Sequence, residues 1–409
     1  MRISTANFYN TSTNQLGTLQ SAMSRTQLQL SSDRRLLTPS DDPVASARAL
    51  EVTQSQNINA QFATNRSNAK SSMTHVESAL QNAGDLLQDM QQLTVNAGNG
   101  TMIQSDREKL ATELEGRLAD LLGVANTADG AGGYLFSGYM TTTQPFTATP
   151  GGAKYQGDQG IRQLQVSESR KLPLSASGNT VFEAIPTGNG VFQTQASGAN
   201  KGSGIVSSGA VTDRAQLDGT KFAIEFGQTT DTPPKPTYSV YNTSTDPRTV
   251  VPGQQDLAYK AGSQISFGGM SLDIKGEPAV GDTFTVEPSQ KQSVFKSVTD
   301  LITALRSPAD GSSGKAALSN TLNSALDNLK NAHDNVLTVQ ASVGAHMNEL
   351  DYLDSAGSDL DIQYATTLDD LQGLDYVKAI SEFSQQQITL QAAQMSFKTM
   401  SGLSLFNVI

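Results

Sequence analysis

The two ends of the chain carry matching patterns of hydrophobic positions at alternating spacings of three and four residues. Near the N-terminus the pattern runs through Leu16, Leu19, Met23, Thr26 and Leu30. Near the C-terminus it runs through Tyr376, Ile380, Phe383, Gln387, Leu390, Gln394 and Phe397. This spacing places each set along one stripe of an α-helix. Because one helix buries a narrow stripe poorly, the two terminal helices are predicted to pair as a coiled-coil stem.

Two more helices are predicted after the N-terminal one. The segment Thr38–Pro43 interrupts the first helix, and Asp41 or Asp42 can cap the second, with Pro43 in its first turn. Three-four spacing, with one extra four, then continues to about Asn96. A capping-box pattern at 105–108 begins a third helix through about residue 128, and a short apolar strand is expected at 134–136.

The second half of the chain repeats this plan in reverse. A short helix is predicted along Val294 to Leu305, and a Gly/Ser-rich turn follows at 310–314. A long helix then holds a heptad pattern from Leu322 to Leu350. His333 occupies a core position of that pattern, where a polar residue more often sets register than catalyses.

Helical periodicity disappears between residues 141 and 288, where Gly, Pro, Ser and Thr are frequent. Short segments separated by turn residues predict an antiparallel β domain. The predicted strands are Arg162–Val166, Lys221–Phe226, Thr237–Tyr241, Gln264–Phe267, Met270–Ile274 and Thr283–Glu287. The Gly/Ser-rich stretch 196–209 is predicted to be a mobile loop.

The pattern as a whole predicts a mainly α fold with an inserted β domain. We expect an elongated α-helical coiled-coil rod formed by both chain termini, with the antiparallel β-rich domain at its far end. The predicted domains are a terminal coiled-coil stem (1–37 with 371–409), an α-helical rod domain (38–140 with 289–370) and an outer β-rich domain (141–288). This plan is typical of a structural building block rather than of an enzyme.

Charge separates the two ends from the middle. The first acidic residue is Asp33 and the last is Glu382, so the formal net charge of -11 arises between the ends. The ends are rich in Ser, Thr, Gln and Asn. An exposed helix usually displays Glu and Lys, so the terminal helices are expected to pack among copies of themselves. A frayed, weakly helical tail is the alternative interpretation.

Composition excludes several classes of function. Only 37% of the 409 residues are hydrophobic and 6% aromatic, which suits elongated bundles with thin cores. A pI near 4.8 argues against a nucleic-acid partner. No run approaches the length of a transmembrane helix, so no membrane partner is expected, and the start MRISTANFYN lacks the plan of a secretory signal peptide. Cysteine is absent, which excludes disulfides.

Candidate chemical motifs are weak. His346 and Glu349 lie one helical turn apart, but two ligands make a poor metal site. The stretch 310–315 lacks the spacing of a phosphate-binding loop, and Asp359 with Asp361 lacks the Gly and Glu of a calcium loop. No nucleophile is paired with a base. The sequence therefore predicts no catalytic residue, no metal site and no cofactor.

Three blocks of the sequence resemble the flagellin superfamily. They are residues 1–32, the linker Leu36–Ala45 and the segment Gln387–Phe406. The Pro-Ser-Asp-Asp-Pro form of the linker and the ending at 400–406 are similar to the branch that joins the flagellar hook to its filament. The run 276–284 also resembles a turn of several hook-associated proteins. Filament flagellin is the alternative, and an enzyme carried on the β domain is a distant one.

The resemblance implies a structural subunit of the bacterial flagellum outside the cell, exported by the type III apparatus without a cleaved signal peptide. It implies a homo-oligomeric ring, with hook-associated protein and flagellin subunits as neighbours. It also implies a cytosolic export chaperone at the C-terminal helix. The residues expected to build the stem and carry assembly are Leu16, Leu19, Met23, Leu30, Tyr376, Ile380, Phe383, Leu390 and Phe397.

In the isolated monomer we expect roughly residues 1–37 and 375–409 to be disordered, because each end offers one thin apolar stripe and folding alone costs more chain entropy than it recovers. Limited proteolysis of the monomer should trim both ends and leave a resistant middle. Equal protection of the ends and the middle would contradict this expectation.

Overall fold

The computed structural model describes residues 5–402, so the first four and last seven residues of the predicted stem lie outside the described part. The helices in that part are α1 (Thr5–Ser32), α2 (Pro43–Ala97), α3 (Gln104–Ala125), α4 (Val294–Arg306), α5 (Gly311–Gln372) and α6 (Tyr376–Gly402). The chain forms two compact units, one comprising residues up to Arg66 together with those from Asp351, and one comprising Ser67–Leu350.

The β region lies between α3 and α4, as the pattern predicts. Its first eight strands are β1 (Phe146–Thr149), β2 (Gly152–Tyr155), β3 (Gln163–Ser167), β4 (Arg170–Pro173), β5 (Ile185–Pro186), β6 (Phe192–Ala196), β7 (Ile205–Val206) and β8 (Ala210–Val211). The others are β9 (Phe222–Gln228), β10 (Pro236–Asn242), β11 (Thr249–Val250), β12 (Leu257–Ala258), β13 (Gln264–Phe267), β14 (Met270–Lys275), β15 (Thr283–Pro288) and β16 (Lys291–Gln292). A mainly α fold with a central antiparallel β region is thereby confirmed.

In the unit that contains both chain ends, α2 and α5 meet through polar groups. Asn59 is buried and donates its side-chain amide to the Gly357 carbonyl at 2.7 Å. The Arg66 side chain is only 5% exposed and lies 3.0 Å from Asp354. A Cβ atom at position 357 would come within 2.3 Å of the Arg66 guanidinium, so a larger residue there would have to displace the Arg66 side chain.

In the other unit, the predicted apolar stripes of α2 and α5 form a helical core. On α2 the buried members are Ala69, Met73, Val76, Leu80, Ala83, Leu87 and Met90. On α5 they are Leu322, Leu329, Val336, Val343 and Leu350. Gln91 reaches across to the Leu329 carbonyl at 3.2 Å, and Gln340 donates to Gln81 at 3.1 Å. These helices therefore contact each other along the stripes that the spacing predicts.

An aromatic cluster joins α4 to the beginning of the β region. Phe136, Phe146, Phe182 and Phe295 are each at most 1% exposed, and their neighbouring ring centroids lie 5.0–5.9 Å apart. The cluster includes residues from both sides of the predicted boundary at 141. Since aromatic rings bury large apolar areas, this cluster ties the first part of the β region to the helices.

Two local expectations before the β region are wrong. The residue preceding α3 is Ile103, and no side chain caps that helix, so Ser105 and Glu108 form no capping box. The segment 134–136 is not a strand, because Tyr134 makes only an isolated bridge with Ala128. Leu135 and Phe136 are buried in turns instead.

The larger part of the β region has its own core. Strands β11, β10, β9, β15 and β6 form one antiparallel sheet in that order, and β12 also pairs with β10. Strands β13, β14 and β7 form a second sheet, in which β8 also pairs with β14. The residues packed between them are Phe192, Val206, Phe222, Ile224, Phe226, Val240, Ile265, Phe267, Met270, Leu272, Ile274, Phe284 and Val286.

All six predicted strands are present, but the stretch 196–209 differs from the expected mobile loop. It contains β7, and the Asp282 carboxylate accepts hydrogen bonds from the backbone amides of Lys201 and Gly202 at 2.8 and 2.9 Å. Asn200 bonds the backbone of Thr283 in both directions. The segment is tied down by partners roughly eighty residues away, which local composition does not reveal.

The segment that leads into the two larger sheets and the segment that leads out of them are hydrogen-bonded to each other. Thr187 and Gln290 exchange hydrogen bonds of 2.9 and 3.0 Å, and β5 pairs with β16 beside them. The core between the two sheets lies entirely within 192–286. Residues between about 191 and 289 are therefore the natural segment to delete as one piece.

We expect deletion of residues 192–288, bridged by two glycines, to leave the helical far-ultraviolet circular dichroism and cooperative melting intact. Deletion of 141–288 should lower stability much more, because losing a buried Phe such as Phe146 or Phe182 costs about 3–5 kcal/mol. Loss of helical signal in the shorter deletion would show that the sheets support the helices.

Candidate assembly surface

The two terminal helices, α1 and α6, pack against each other along a narrow seam. On α1 the seam contains the predicted residues Leu16, Leu19, Met23 and Leu30, all half-buried, and Thr26, which is buried. On α6 it contains Ala379, Phe383, Gln386, Leu390, Ala393 and Phe397. The Tyr9 ring meets the Phe397 ring edge-on, with centroids 5.3 Å apart. Both sets keep the alternating three-four spacing of a coiled-coil stripe.

The stripe that the spacing predicts on α6 agrees only in part with the observed seam. Phe383, Leu390 and Phe397 lie in the seam as predicted, but Tyr376 and Ile380 are 46% and 54% exposed. The expected packing of Ile380 within the helix pair is therefore wrong. Ala379 takes that place, since the heptad positions between the large side chains are filled by small or amide residues that bring little apolar signal.

Thr26 and Gln386 form a polar contact inside this apolar seam. The Thr26 hydroxyl lies 3.0 Å from the Gln386 side-chain oxygen and 3.2 Å from the Ala22 carbonyl, so it can donate to either. A polar pair in a coiled-coil core favours the one alignment that satisfies it. This contact therefore fixes the register of α1 against α6.

The crossover segments beside the helix pair are also hydrogen-bonded to each other. Arg34 and Gly373 form an isolated antiparallel bridge, and the Arg35 amide donates to the Gln372 carbonyl at 2.7 Å. The Arg35 guanidinium donates to the Leu371 carbonyl at 2.9 Å. These bonds hold the end of α1 next to the beginning of α6.

The linker after α1 is organised by Asp41. Its carboxylate accepts hydrogen bonds from the Thr38 and Leu37 amides, both at 3.0 Å, and pairs with the Arg25 guanidinium at 2.6 Å. The two amides, followed by Arg25, hold the pKa of Asp41 below its ordinary value of 3.8. Asp42 is the residue that caps α2, through the amide of Ala45 at 3.0 Å.

The opposite side of α6 carries a second apolar stripe. Val377, Ile388 and Met395 are 82%, 67% and 68% exposed. They are separated by whole numbers of helical turns, and they point away from the seam. Helix α6 is therefore apolar on two opposite faces, and α1 covers only one of them.

The histidine and acidic residues of the weak sequence motifs make side-chain contacts within the fold. Glu349 pairs with Arg170, one of its contacts being 2.8 Å, whereas His346 lies 3.9 Å from it. Asp361 accepts a hydrogen bond from Gln56 at 3.0 Å. No group of three or more His, Cys, Asp or Glu side chains suited to a metal occurs among residues 5–402. Within the same range, no helix combines the length and apolar character needed to cross a membrane.

The chain is similar to proteins of bacterial flagella. Residues 3–141 match the family described as the bacterial flagellin N-terminal helical region. The chain is 28% identical to flagellar hook-associated protein 3 of Escherichia coli (strain K12), across 100% of this chain and 99% of that protein. It is 31% identical to the crystal structure of flagellar hook-associated protein 3 from Legionella pneumophila, with a TM-score of 0.74 over 78% of this chain and 98% of that one. The chain belongs to the flagellar hook-associated protein 3 family.

A second structure agrees with this family membership. The crystal structure of the flagellar junction protein FlgL from Legionella pneumophila is 32% identical, with a TM-score of 0.72 over 80% of this chain and 100% of that one. The resemblance to the flagellin superfamily is thus confirmed, and the chain is a structural protein of the bacterial flagellum. That the seam residues carry assembly stays a prediction.

Since the folded-state pKa of Asp41 is lowered, its contacts add stability above pH 3.8 and lose it as the pH falls through the folded value. We expect Asp41→Ala to speed amide hydrogen exchange at Leu37 and Thr38 near neutral pH. Asp359→Asn, which removes an exposed carboxylate far from the linker in sequence, should leave both rates unchanged. Unchanged exchange in Asp41→Ala would show that the linker is held by other contacts.

Proposed function

We propose that this chain is a structural subunit of the junction between the flagellar hook and filament, and that copies assemble through α1 and α6. The observation that carries the proposal is the uncovered apolar stripe on α6, formed by Val377, Ile388 and Met395. Family membership supports the flagellar setting.

The surroundings of this stripe favour a protein partner over water. After Glu382, the only charged side chain is Lys398. The residues around the stripe, such as Ser384 and Gln391, are uncharged. Large apolar side chains at such exposure cost free energy in water, and covering them recovers about 25 cal/mol per Å². Neighbouring copies present the same surfaces, so packing among copies covers the stripe on every subunit.

The rest of the assembly is proposed along the same lines. Copies form a ring outside the cell, with hook-associated protein on one side and flagellin subunits on the other. The chain reaches that place through the flagellar export apparatus, and a cytosolic chaperone covers α6 beforehand. The three-part division into stem, helical rod and outer β domain is part of the same proposal.

We expect Ile388→Glu to abolish filament attachment while leaving the helical dichroism of the monomer unchanged, because it places a charge on the uncovered stripe rather than in the seam. The matched control is Gln385→Glu, which adds the same charge three residues earlier, at an exposed position about 60° around the helix from Ile388. Motility, attached filaments and secreted protein should be measured separately in a strain lacking the native gene.

The deletion strain itself should keep its hooks and shed flagellin into the medium. Phe383→Asp, which charges the seam, should also fail to attach filaments, whereas His346→Ala should behave as wild type. If Ile388→Glu protein is secreted and supports a normal filament, the stripe is not an assembly surface. If Gln385→Glu fails equally, added charge on α6 explains the loss, and the apolar stripe does not.

A further inference from the structure

Helix α5 holds the β region through a row of polar side chains. The Asn320 amide donates to the Gly204 carbonyl at 3.0 Å, and its oxygen accepts from the Val206 amide at 2.9 Å. The Asn335 amide donates to the carbonyls of Thr180 and Val181 at 2.8 and 2.9 Å. Asparagine suits this task, because its side chain offers both a donor and an acceptor to a backbone.

Two more asparagines between these positions make the same kind of contact. The Asn331 amide donates to the carbonyls of Pro186 and Gly188, both at 2.8 Å. The Asn328 oxygen accepts from the Gly188 amide at 3.0 Å. Four amide side chains therefore dock successive backbone segments of the β region onto one face of α5.

Asp327 is the exception in this row, since it carries a charge where its neighbours carry amides. Its carboxylate accepts a hydrogen bond from the Ser208 hydroxyl. Burial raises the pKa of Asp327, despite the opposing effects of Ser208 and the Lys330 charge. An asparagine at 327 could accept the same hydrogen bond without the cost of removing a charge from water. The carboxylate is thus unnecessary for docking and unfavourable for folding.

Asp327 also lines a cavity of about 290 Å³ between β6, α4 and α5. Three amide-bearing residues, Gln193, Gln195 and Asn328, and a second acidic residue, Asp300, also line it. None of the lining residues, all within the described range, is Lys or Arg. The Asp300 carboxylate is half-exposed and pairs with Lys296 at 2.8 Å. The cavity is therefore polar and lined by two acidic residues, with Lys296 paired to Asp300 and the Lys330 charge near Asp327.

We propose that this cavity binds a small aliphatic amine, whose ammonium group pairs with the Asp327 carboxylate. An ammonium has three donors and no acceptor, so the side-chain oxygens of Gln193 and Gln195 can accept its remaining hydrogens. Pairing offsets the cost of the half-buried charge, which explains why a carboxylate occupies this one position in the row. The inference does not depend on the proposed junction function.

The test uses the full chain and 1,4-diaminobutane, with 1,4-butanediol as an uncharged molecule of similar length, in calorimetric titrations near neutral pH. The diamine should bind and the diol should not. Asp327→Asn should weaken diamine binding by at least about tenfold, because it removes the charge and keeps the shape. Asp334→Asn, which removes an exposed carboxylate from the same helix, should bind as wild type.

Melting of the unliganded protein checks that the variant is folded. A raised folded-state pKa means that Asp327 lowers stability once it ionises, so Asp327→Asn should melt at the same or a higher temperature near pH 7. Diamine binding should also weaken as acid neutralises Asp327. No diamine binding to wild type, equal binding of the diol, or equal weakening by the Asp327 and Asp334 variants would each overturn the proposal.

Discussion

The proposed assembly depends on a narrow contact between two helices at opposite ends of the chain. Neither α1 nor α6 has a wide apolar face toward the other, and most seam residues are only half-buried. Such a seam recovers little free energy by itself, and closing so long a loop costs entropy. Hydrogen bonds between the crossover segments at 33–37 and 371–375 therefore add to the seam and hold the end of α1 beside the beginning of α6.

A thin seam is useful in a subunit that assembles. Because α1 covers only one side of α6, the apolar stripe at Val377, Ile388 and Met395 remains open in a single chain. The scarcity of charge on these helices fits the same requirement, since a charged side chain resists transfer from water into a contact between copies. The thin seam within one chain and the proposed packing between copies are thus both consequences of a composition poor in charged residues.

The β region is joined to the helices by two different kinds of contact. Apolar contacts, which are non-directional, join the beginning of the β region to α4 in the aromatic cluster of Phe136, Phe146, Phe182 and Phe295. The asparagine row on α5 is directional, because each amide must meet a particular carbonyl or N–H group. Such bonds fix orientation more than they add net stability. Asp327 differs from the asparagines in this row, because its charge is not needed to fix the orientation of the β region and does not add stability.

The helices were largely predictable from the sequence. The three-four spacing, Asp41 or Asp42 as a cap and Pro43 in the first turn locate α2, and the spacing from Leu322 to Leu350 locates the core face of α5, because these signals are local. The seam of α1 was also predictable, since its stripe consists of large apolar residues. The stripe of α6 was only half predictable, because both faces are apolar and the alanines of the seam are inconspicuous.

What only the tertiary structure decided depends on contacts between residues far apart along the chain. Two-residue strands such as β5 and β16 exist because each pairs with the other across about a hundred residues, and neither has a recognisable pattern. The stretch 196–209 is ordered by Asp282 and Asn320, which its Gly/Ser composition does not reveal. The cavity at Asp327 likewise forms where β6, α4 and α5 meet. The sequence by itself determined the helices, the scarcity of charge at the ends and the family, because these are properties of adjacent residues and local spacing. Which strands pair and which residues are buried in the middle of the chain depended on the tertiary structure, because the partners lie far apart in the sequence.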